Sequence, residues 1–196
     1  PEGSGPSQGR NLFEQQSTMR DALVAALTLN VFNNHCDKVR MANIAQLANN
    51  LHCLFLANEK NCITTPTYHV FDMYQQHQGG NAIRCIGDDD DSVIASSDPR
   101  QPATLASLSH SASIRNKVLT LTIANLSLTE NAGIVLEPVG FQLGRDAEIT
   151  TLTSNNVRAC NTFAAPDCVC PTEHEGVATT LAIPPASVIC LKAKVK

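Results

Sequence analysis

The chain has no tryptophan and only two tyrosines, and aromatic residues fill just 4% of its 196 positions. From residue 79 onward the only aromatic rings besides histidine are Phe141 and Phe163. A module that grips polysaccharide by stacking needs flat aromatic faces, and this half has almost none. Strong charge of one sign is missing too. The net charge is −4 and charged residues make up 16%, which leaves no basic field for nucleic acid or an anionic membrane. Long apolar runs are also absent: the longest, residues 22–32, contains Thr28 and Asn30 and is too short to span a bilayer. The opening PEGSGPSQGR has no apolar core, so it reads as a loop and not as a secretion signal. There is no glycine-rich phosphate loop, and Ser17, Ser109 and Ser111 lack the setting of an activated nucleophile.

What is present suits a folded core, since 43% of the residues are hydrophobic and the chain is long enough to bury them. Eight cysteines are spread from Cys36 to Cys190 without a repeated CxxC spacing. That pattern predicts reduced, mostly buried thiols rather than a disulfide framework. Cys160, Cys168, Cys170 and His174 form the one cluster of metal-ligand residue types, but with intervals of seven, one and three residues they fit no usual zinc pattern. The acidic run Asp88–Asp91 reads as a solvated loop, because no EF-hand spacing accompanies it. Asn125-Leu126-Ser127 is a glycosylation sequon set inside a predicted strand.

The periodicity changes near residue 79. Met19, Leu23, Ala26, Leu27 and Asn30 follow helical spacing and predict a helix over 17–34, with Ser17 as N-cap and Asp21 in the first turns. Val39 to Ala45 suits a buried parallel strand. Helices are then predicted over 46–57 and over 66–77, the latter with Pro66 in its first turn. Gly79-Gly80 closes this half. Beyond it the period becomes two: Leu119, Leu121 and Ile123 alternate with Thr120 and Thr122, and Ile189, Leu191, Ala193 and Val195 alternate with Cys190 and three lysines. Shorter strands are predicted at 82–86, 92–97, 104–113, 132–137, 147–152 and 177–183, separated by turn residues. The fold class is therefore α/β plus all-β: part of an α/β domain, then an antiparallel sandwich. One strand cannot make a sheet, so the α/β half is expected to be completed by residues upstream of Pro1.

Within the first half, RMANIAQ (40–46) sets two amides, Asn43 and Gln46, at the end of an apolar run. Amides are costly to bury unless paired. They are either satisfied in the core or face a pocket and hold a polar ligand.

QQSTMRDALVAALTLNVFNNHCDKVRMANIAQ (15–46) and TPTYHVFDMYQQHQ (65–78) resemble the α-L-arabinofuranosidases of glycoside hydrolase family 51. LSHSAS (108–113), the strand with Asn125, NTFAAPD (161–167) and IPPASV (183–188) carry the resemblance through the second half. It implies that residues 1–77 are the C-terminal fragment of a (β/α)8 TIM barrel, and that 78–196 form an antiparallel jelly-roll-like β-sandwich. It also implies a retaining hydrolase that removes terminal α-L-arabinofuranosyl groups from arabinan, arabinoxylan and related oligosaccharides. Such an enzyme needs no cofactor, has no nucleic-acid or membrane partner, and is expected as a homo-oligomer, in the cytoplasm ahead of a secreted location.

Retention takes two carboxyl groups about 5–5.5 Å apart. In the family both are glutamates at the ends of barrel strands four and seven, the nucleophile in a Glu-Trp motif just before the loop that PEGSGPSQGR resembles. With no tryptophan at all, this chain is expected to carry neither. Glu2 and Glu14 do not sit at predicted strand ends, where barrel sites are built. The resemblance gives Gln46, at the end of strand eight, a hydrogen bond to the arabinose; Asn43 is a second substrate contact or orients neighbouring loops. His35, His52, His69 and His77 fall on or beside the helices as structural or surface residues. The sequence departs from the family at Ser17, where Asn is usual, at Cys160, Cys168 and Cys170, and in the loosely matching LANEKNC (56–62). Two alternatives stand beside this: a non-catalytic sandwich that binds carbohydrate or serves as a structural accessory, which the scarcity of aromatics opposes, and a Cys-rich metal or redox domain.

Overall fold

The computed structural model describes residues 5–6, 13–14, 16–87, 93–95, 98, 100 and 103–196. Glu2 and the acidic run 88–91 lie outside them, and Glu14 is described by its backbone alone.

Helix α1 runs Met19–Asn34. Thr18, one residue beyond the expected Ser17, is its N-cap: the Asp21 carboxylate accepts from the Thr18 main-chain N–H at 2.8 Å and from its hydroxyl at 2.7 Å. Burial raises the Asp21 pKa, but the Thr18 bonds and Arg20 outweigh it and hold the carboxyl below its ordinary value. The first free N–H groups of the helix, on Met19 and Arg20, donate to the carbonyls of Ala159 and Val157 at 2.9 and 2.8 Å. A distant loop thus satisfies donors that no helix can satisfy for itself. Helix α2, Pro66–Tyr74, starts as expected with Pro66 in the first turn and the Thr65 hydroxyl accepting from Tyr68 N–H. It runs on into a 3-10 turn at Gln75–His77, and Gly79 takes the left-handed φ of +71° that ends it.

Between the helices the sequence-based expectation fails. Residues 39–45 form no strand, and no main-chain hydrogen bond reaches residues 40–45 among the described residues. A strand is defined by its neighbour, and none is present here among the described residues. Nor is this run buried: Met41, Asn43, Ala45 and Gln46 are exposed. The helix predicted over 46–57 is also absent. Asn49 and Leu51 have positive φ, and the Asn49 side chain bonds both main-chain groups of Ala57 at 2.7 and 2.9 Å, a local alternative to helical bonding. The segment instead bends into a short hairpin, Phe55–Ala57 with Cys62–Thr64.

Numbering strands in chain order, β1 (Gly5–Pro6) pairs with β2 (Phe13–Glu14), and that hairpin is β3 and β4. The remaining strands are β5 (Asn81–Ile83), β6 (Val93–Ala95), β7 (Thr104–Ala106), β8 (Leu108–Arg115), β9 (Val118–Asn125), β10 (Ala132–Val135), β11 (Leu143–Thr153), β12 (Thr172–Val177), β13 (Thr180–Ile183) and β14 (Ser187–Val195). Six of them make one antiparallel sheet in the order β12-β11-β14-β9-β8-β5. The tight β8–β9 turn uses Asn116 and Lys117, both with positive φ, as a two-residue hairpin demands. β10 pairs with β13 in a separate ribbon, and β6 with β7 in another.

Alternation along the strands serves two cores. Leu119, Leu121 and Ile123 of β9 join Ile189, Leu191 and Ala193 of β14 and Ile149 of β11 in a cluster with Leu181 and Ile183 of β13. On the other face Ala124, Val188, Cys190 and Leu152 pack with Met19, Leu23 and Ala26 of α1 and Val70 and Met73 of α2. Each large apolar side chain so buried is worth about 1.5–3 kcal/mol. The Thr face of β9, which alternation alone leaves open to water, therefore lies under the helices.

Candidate functional site

The helices are fastened to the sheet by a buried polar network. Asn30 of α1 has 0% of its surface exposed. Its Oδ1 accepts from the Tyr74, Ser111 and Thr122 hydroxyls at 2.8, 2.8 and 2.9 Å, and its Nδ2 donates to the Ser109 carbonyl at 2.9 Å. His77 lies beside it, with Nδ1 2.8 Å from Ser113 Oγ and Nε2 3.0 Å from Thr122 Oγ1. The serines of LSHSAS thus join the two halves. Asn125, the sequon residue, is buried with its Nδ2 on the carbonyls of Glu130 and Pro184, which makes it a loop anchor.

This scaffold carries the segment with the two predicted site residues. Gln46 is exposed; its Oε1 accepts from Asn50 Nδ2 and its N–H reaches the Asn50 carbonyl, both at 3.4 Å. Asn43 lies on the wall of a cleft of about 100 Å³, with Ala42, Ile44 and His52 opposite Val24 and Thr28 of α1. Gln46 is not part of that wall.

Asn50 escaped sequence reasoning, and His52, expected as a structural or surface histidine, has partners that the sequence did not show. The Asn50 Oδ1 is buried without a hydrogen-bond partner, alone in this among the described residues. His52 sits in a loop rather than on a helix and bonds through Nε2 to the buried Thr67 hydroxyl at 2.8 Å; Thr67 in turn bonds the Ser17 hydroxyl at 2.7 Å. The one signal that could have found them is the Asn49-Asn50 pair, which argues for a turn where a helix was expected.

The thiols correct a second expectation. Only Cys53 and Cys190 are buried; Cys36, Cys62, Cys168 and Cys170 are exposed, Cys85 and Cys160 half-buried, and all eight are free. Among the described residues no three His, Cys, Asp or Glu side chains converge as a metal site, the Cys160–His174 group included. No described helix is long and apolar enough to cross a membrane.

Residues 4–187 match the family model of the α-L-arabinofuranosidase C-terminal domain. The chain belongs to this family. An intracellular exo-α-L-arabinofuranosidase of Bacteroides ovatus is 33% identical to this family member over 165 residues, covering 83% of this chain and 31% of that protein. The solved family 51 arabinofuranosidase of Xanthomonas axonopodis pv. citri is 28% identical, with a TM-score of 0.75 over 97% of this chain and 39% of its own. The α-L-arabinofuranosidase of Thermotoga maritima, solved with arabinose, shares the fold at a TM-score of 0.82 and 22% identity, over 97% of this chain and 41% of its own. The arabinofuranosidase C-terminal domain described here thus spans about a third of the length of the curated relative it matches.

Proposed function

We propose that the chain is the C-terminal portion of a retaining α-L-arabinofuranosidase, in which residues 1–77 close a (β/α)8 barrel and 78–196 form the jelly-roll-like sandwich. The observation that carries this reading is the segment 39–47. It is apolar yet exposed, with Met41 at 75% and Leu47 at 68%, and no ladder bond reaches residues 40–45 among the described residues. A barrel strand taken away from its neighbours has those properties. Val24 of α1, also exposed and on the cleft wall with Ala42 and Ile44, extends the same uncovered surface.

In this reading the nucleophile and the acid/base are glutamates outside residues 1–196, about 5–5.5 Å apart as retention requires. Gln46 stands at the strand's C-terminal end, where barrel sites are built, and its carboxamide holds the arabinosyl hydroxyls. Asn43, turned toward α1, orients the segment from behind. The substrates are terminal α-L-arabinofuranosides of arabinan, arabinoxylan and their oligosaccharides, and the parent enzyme works in the cytoplasm as a homo-oligomer. Assay with an aryl α-L-arabinofuranoside tests the division of labour: the chain of 196 residues turns nothing over, and measurable hydrolysis by it would sink the proposal. In the longer enzyme, Gln46→Ala raises KM about tenfold, the worth of one neutral hydrogen bond.

A further inference from the structure

Resting on the reading of Gln46 as a sugar contact, we propose that Asn161 of the sandwich half is a positioning residue for Gln46. It lies in the loop between β11 and β12 with 3% of its surface exposed, and its carboxamide serves both halves of the chain. Oδ1 accepts from the Val169 N–H at 2.7 Å and Nδ2 donates to the Val169 carbonyl at 3.0 Å, which closes the loop on itself. An amide nitrogen has a second proton to give, and it goes to the Thr64 carbonyl of β4, also at 3.0 Å. Loop closure has no use for that bond. Among the described residues it is the one hydrogen bond between the β3–β4 hairpin and the sandwich half.

The anchor itself is fixed. Ala159 and Val157, just before Asn161, receive the first N–H groups of α1, and Cys160 pairs with Thr18. From Thr64 the tie runs to Gln46 through main-chain bonds of ordinary length. Thr64 faces Phe55 across the hairpin. Leu54 and Phe55 both donate their N–H to the Leu47 carbonyl, at 3.2 and 3.1 Å, and the Phe55 carbonyl accepts from the Asn49 N–H at 3.0 Å. Ala48 pairs with Phe55 in a parallel bridge. Leu47 follows Gln46 directly, so the backbone that aims the Gln46 side chain is fastened to β3.

The Gln46 side chain is not held by contacts of its own. It is exposed, and its one side-chain bond among the described residues, from Asn50 Nδ2 at 3.4 Å, is too long to fix an amide. Its placement therefore follows the main chain beneath it. A hydrogen bond to a sugar hydroxyl depends on direction as well as distance, so a contact displaced by about an ångström is largely lost. Releasing the Thr64 carbonyl loosens the hairpin against the sandwich. The sandwich half thus acts on the sugar contact without touching sugar.

Kinetics of the longer enzyme with an aryl α-L-arabinofuranoside test the tie. Asn161→Ser can still serve Val169 but ends one bond short of the Thr64 carbonyl, and it should raise KM about fivefold with kcat kept within about twofold. Added to Gln46→Ala it should change KM no further, because both act through one contact. Hydrogen exchange of the same variant should be about tenfold faster at Leu54 and Phe55, with β9 and β14 as in the wild type. The inference is overturned if Asn161→Ser leaves KM unchanged, or if its effect multiplies with that of Gln46→Ala, as a general loss of stability would make it do. If Asn161→Ser does not fold, the wild type decides: saturating L-arabinose should slow exchange at Leu54 and Phe55, and no slowing overturns the inference. The two readings fail separately. An unchanged KM for Gln46→Ala removes the sugar contact and this inference with it, whereas a raised KM that multiplies with the Asn161→Ser effect removes this inference alone.

Discussion

His77 shows how a single residue's chemistry is set by its neighbours. The Asn30 carboxamide oxygen takes the protons of Ser111 and Thr122. Thr122 Oγ1 must then accept from His77 Nε2, 3.0 Å away, and His77 Nδ1 accepts from the Ser113 hydroxyl at 2.8 Å. The bond pattern thus puts the proton of the neutral ring on Nε2. Burial agrees with it, pushing the His77 pKa from 6.5 down to about 4. The unfolded chain takes up this proton near pH 6.5 and the native protein only near about 4, so stability is full above the first value and is lost as pH falls toward the second. The loss amounts to about 3 kcal/mol, at roughly 1.4 kcal/mol per pH unit. Urea midpoints measured between pH 7 and pH 5 should fall for the wild type and fall less steeply for His77→Gln, where the half-buried His52 and His69 remain to titrate.

Among the elements, α1 matters most, because its ends and its middle are held by parts of the chain far away in sequence. Val157 and Ala159 receive its first N–H groups, and Asn30 bonds α2 through Tyr74 and the sheet through β8 and β9. Asn30→Leu keeps the volume but leaves three hydroxyls and a carbonyl short of a partner. That should destabilise the protein by about 3 kcal/mol, since each buried polar group left unpaired costs roughly 1–3. Chemical unfolding followed by circular dichroism measures it, and a loss well under 1 kcal/mol would mean that water replaces the amide. The helical spacing of α1 and α2 was legible because an amphipathic face repeats locally. The Asn30 contacts were not, since spacing shows that a residue faces inward but not which hydroxyls it meets there.

At the scale of the molecule, two cores share one sheet: the β10–β13 ribbon covers one face and the helices the other. Thiol chemistry reports on this arrangement directly. Cys36, Cys62, Cys168 and Cys170 are exposed and should react quickly with dithionitrobenzoate. Cys85 and Cys160, half-buried and with burial raising their pKa, should follow more slowly. Cys53 and Cys190 should react only on unfolding, the latter with its pKa pushed up to about 12 by burial. More than six thiols reacting in the native state would mean that the helical layer opens readily.

The sequence by itself determined the elements whose signal is local: α1 and α2 from their apolar spacing and caps, β9 and β14 from their alternation, and the change of period at Gly79-Gly80. Its motifs also carried the family, which residues 4–187 match. Only the tertiary structure decided what depends on a second surface. RMANIAQ has the composition of a buried strand, but composition cannot supply the neighbouring strand that would pair it, and here the run is exposed. The threonines of β9 look like a wet face and are a buried one, because whether a helix lies over a sheet is settled by contacts far apart in the chain. The same holds for His52, whose partner Thr67, and Ser17 bonded to Thr67 in turn, come together only once both helices have packed.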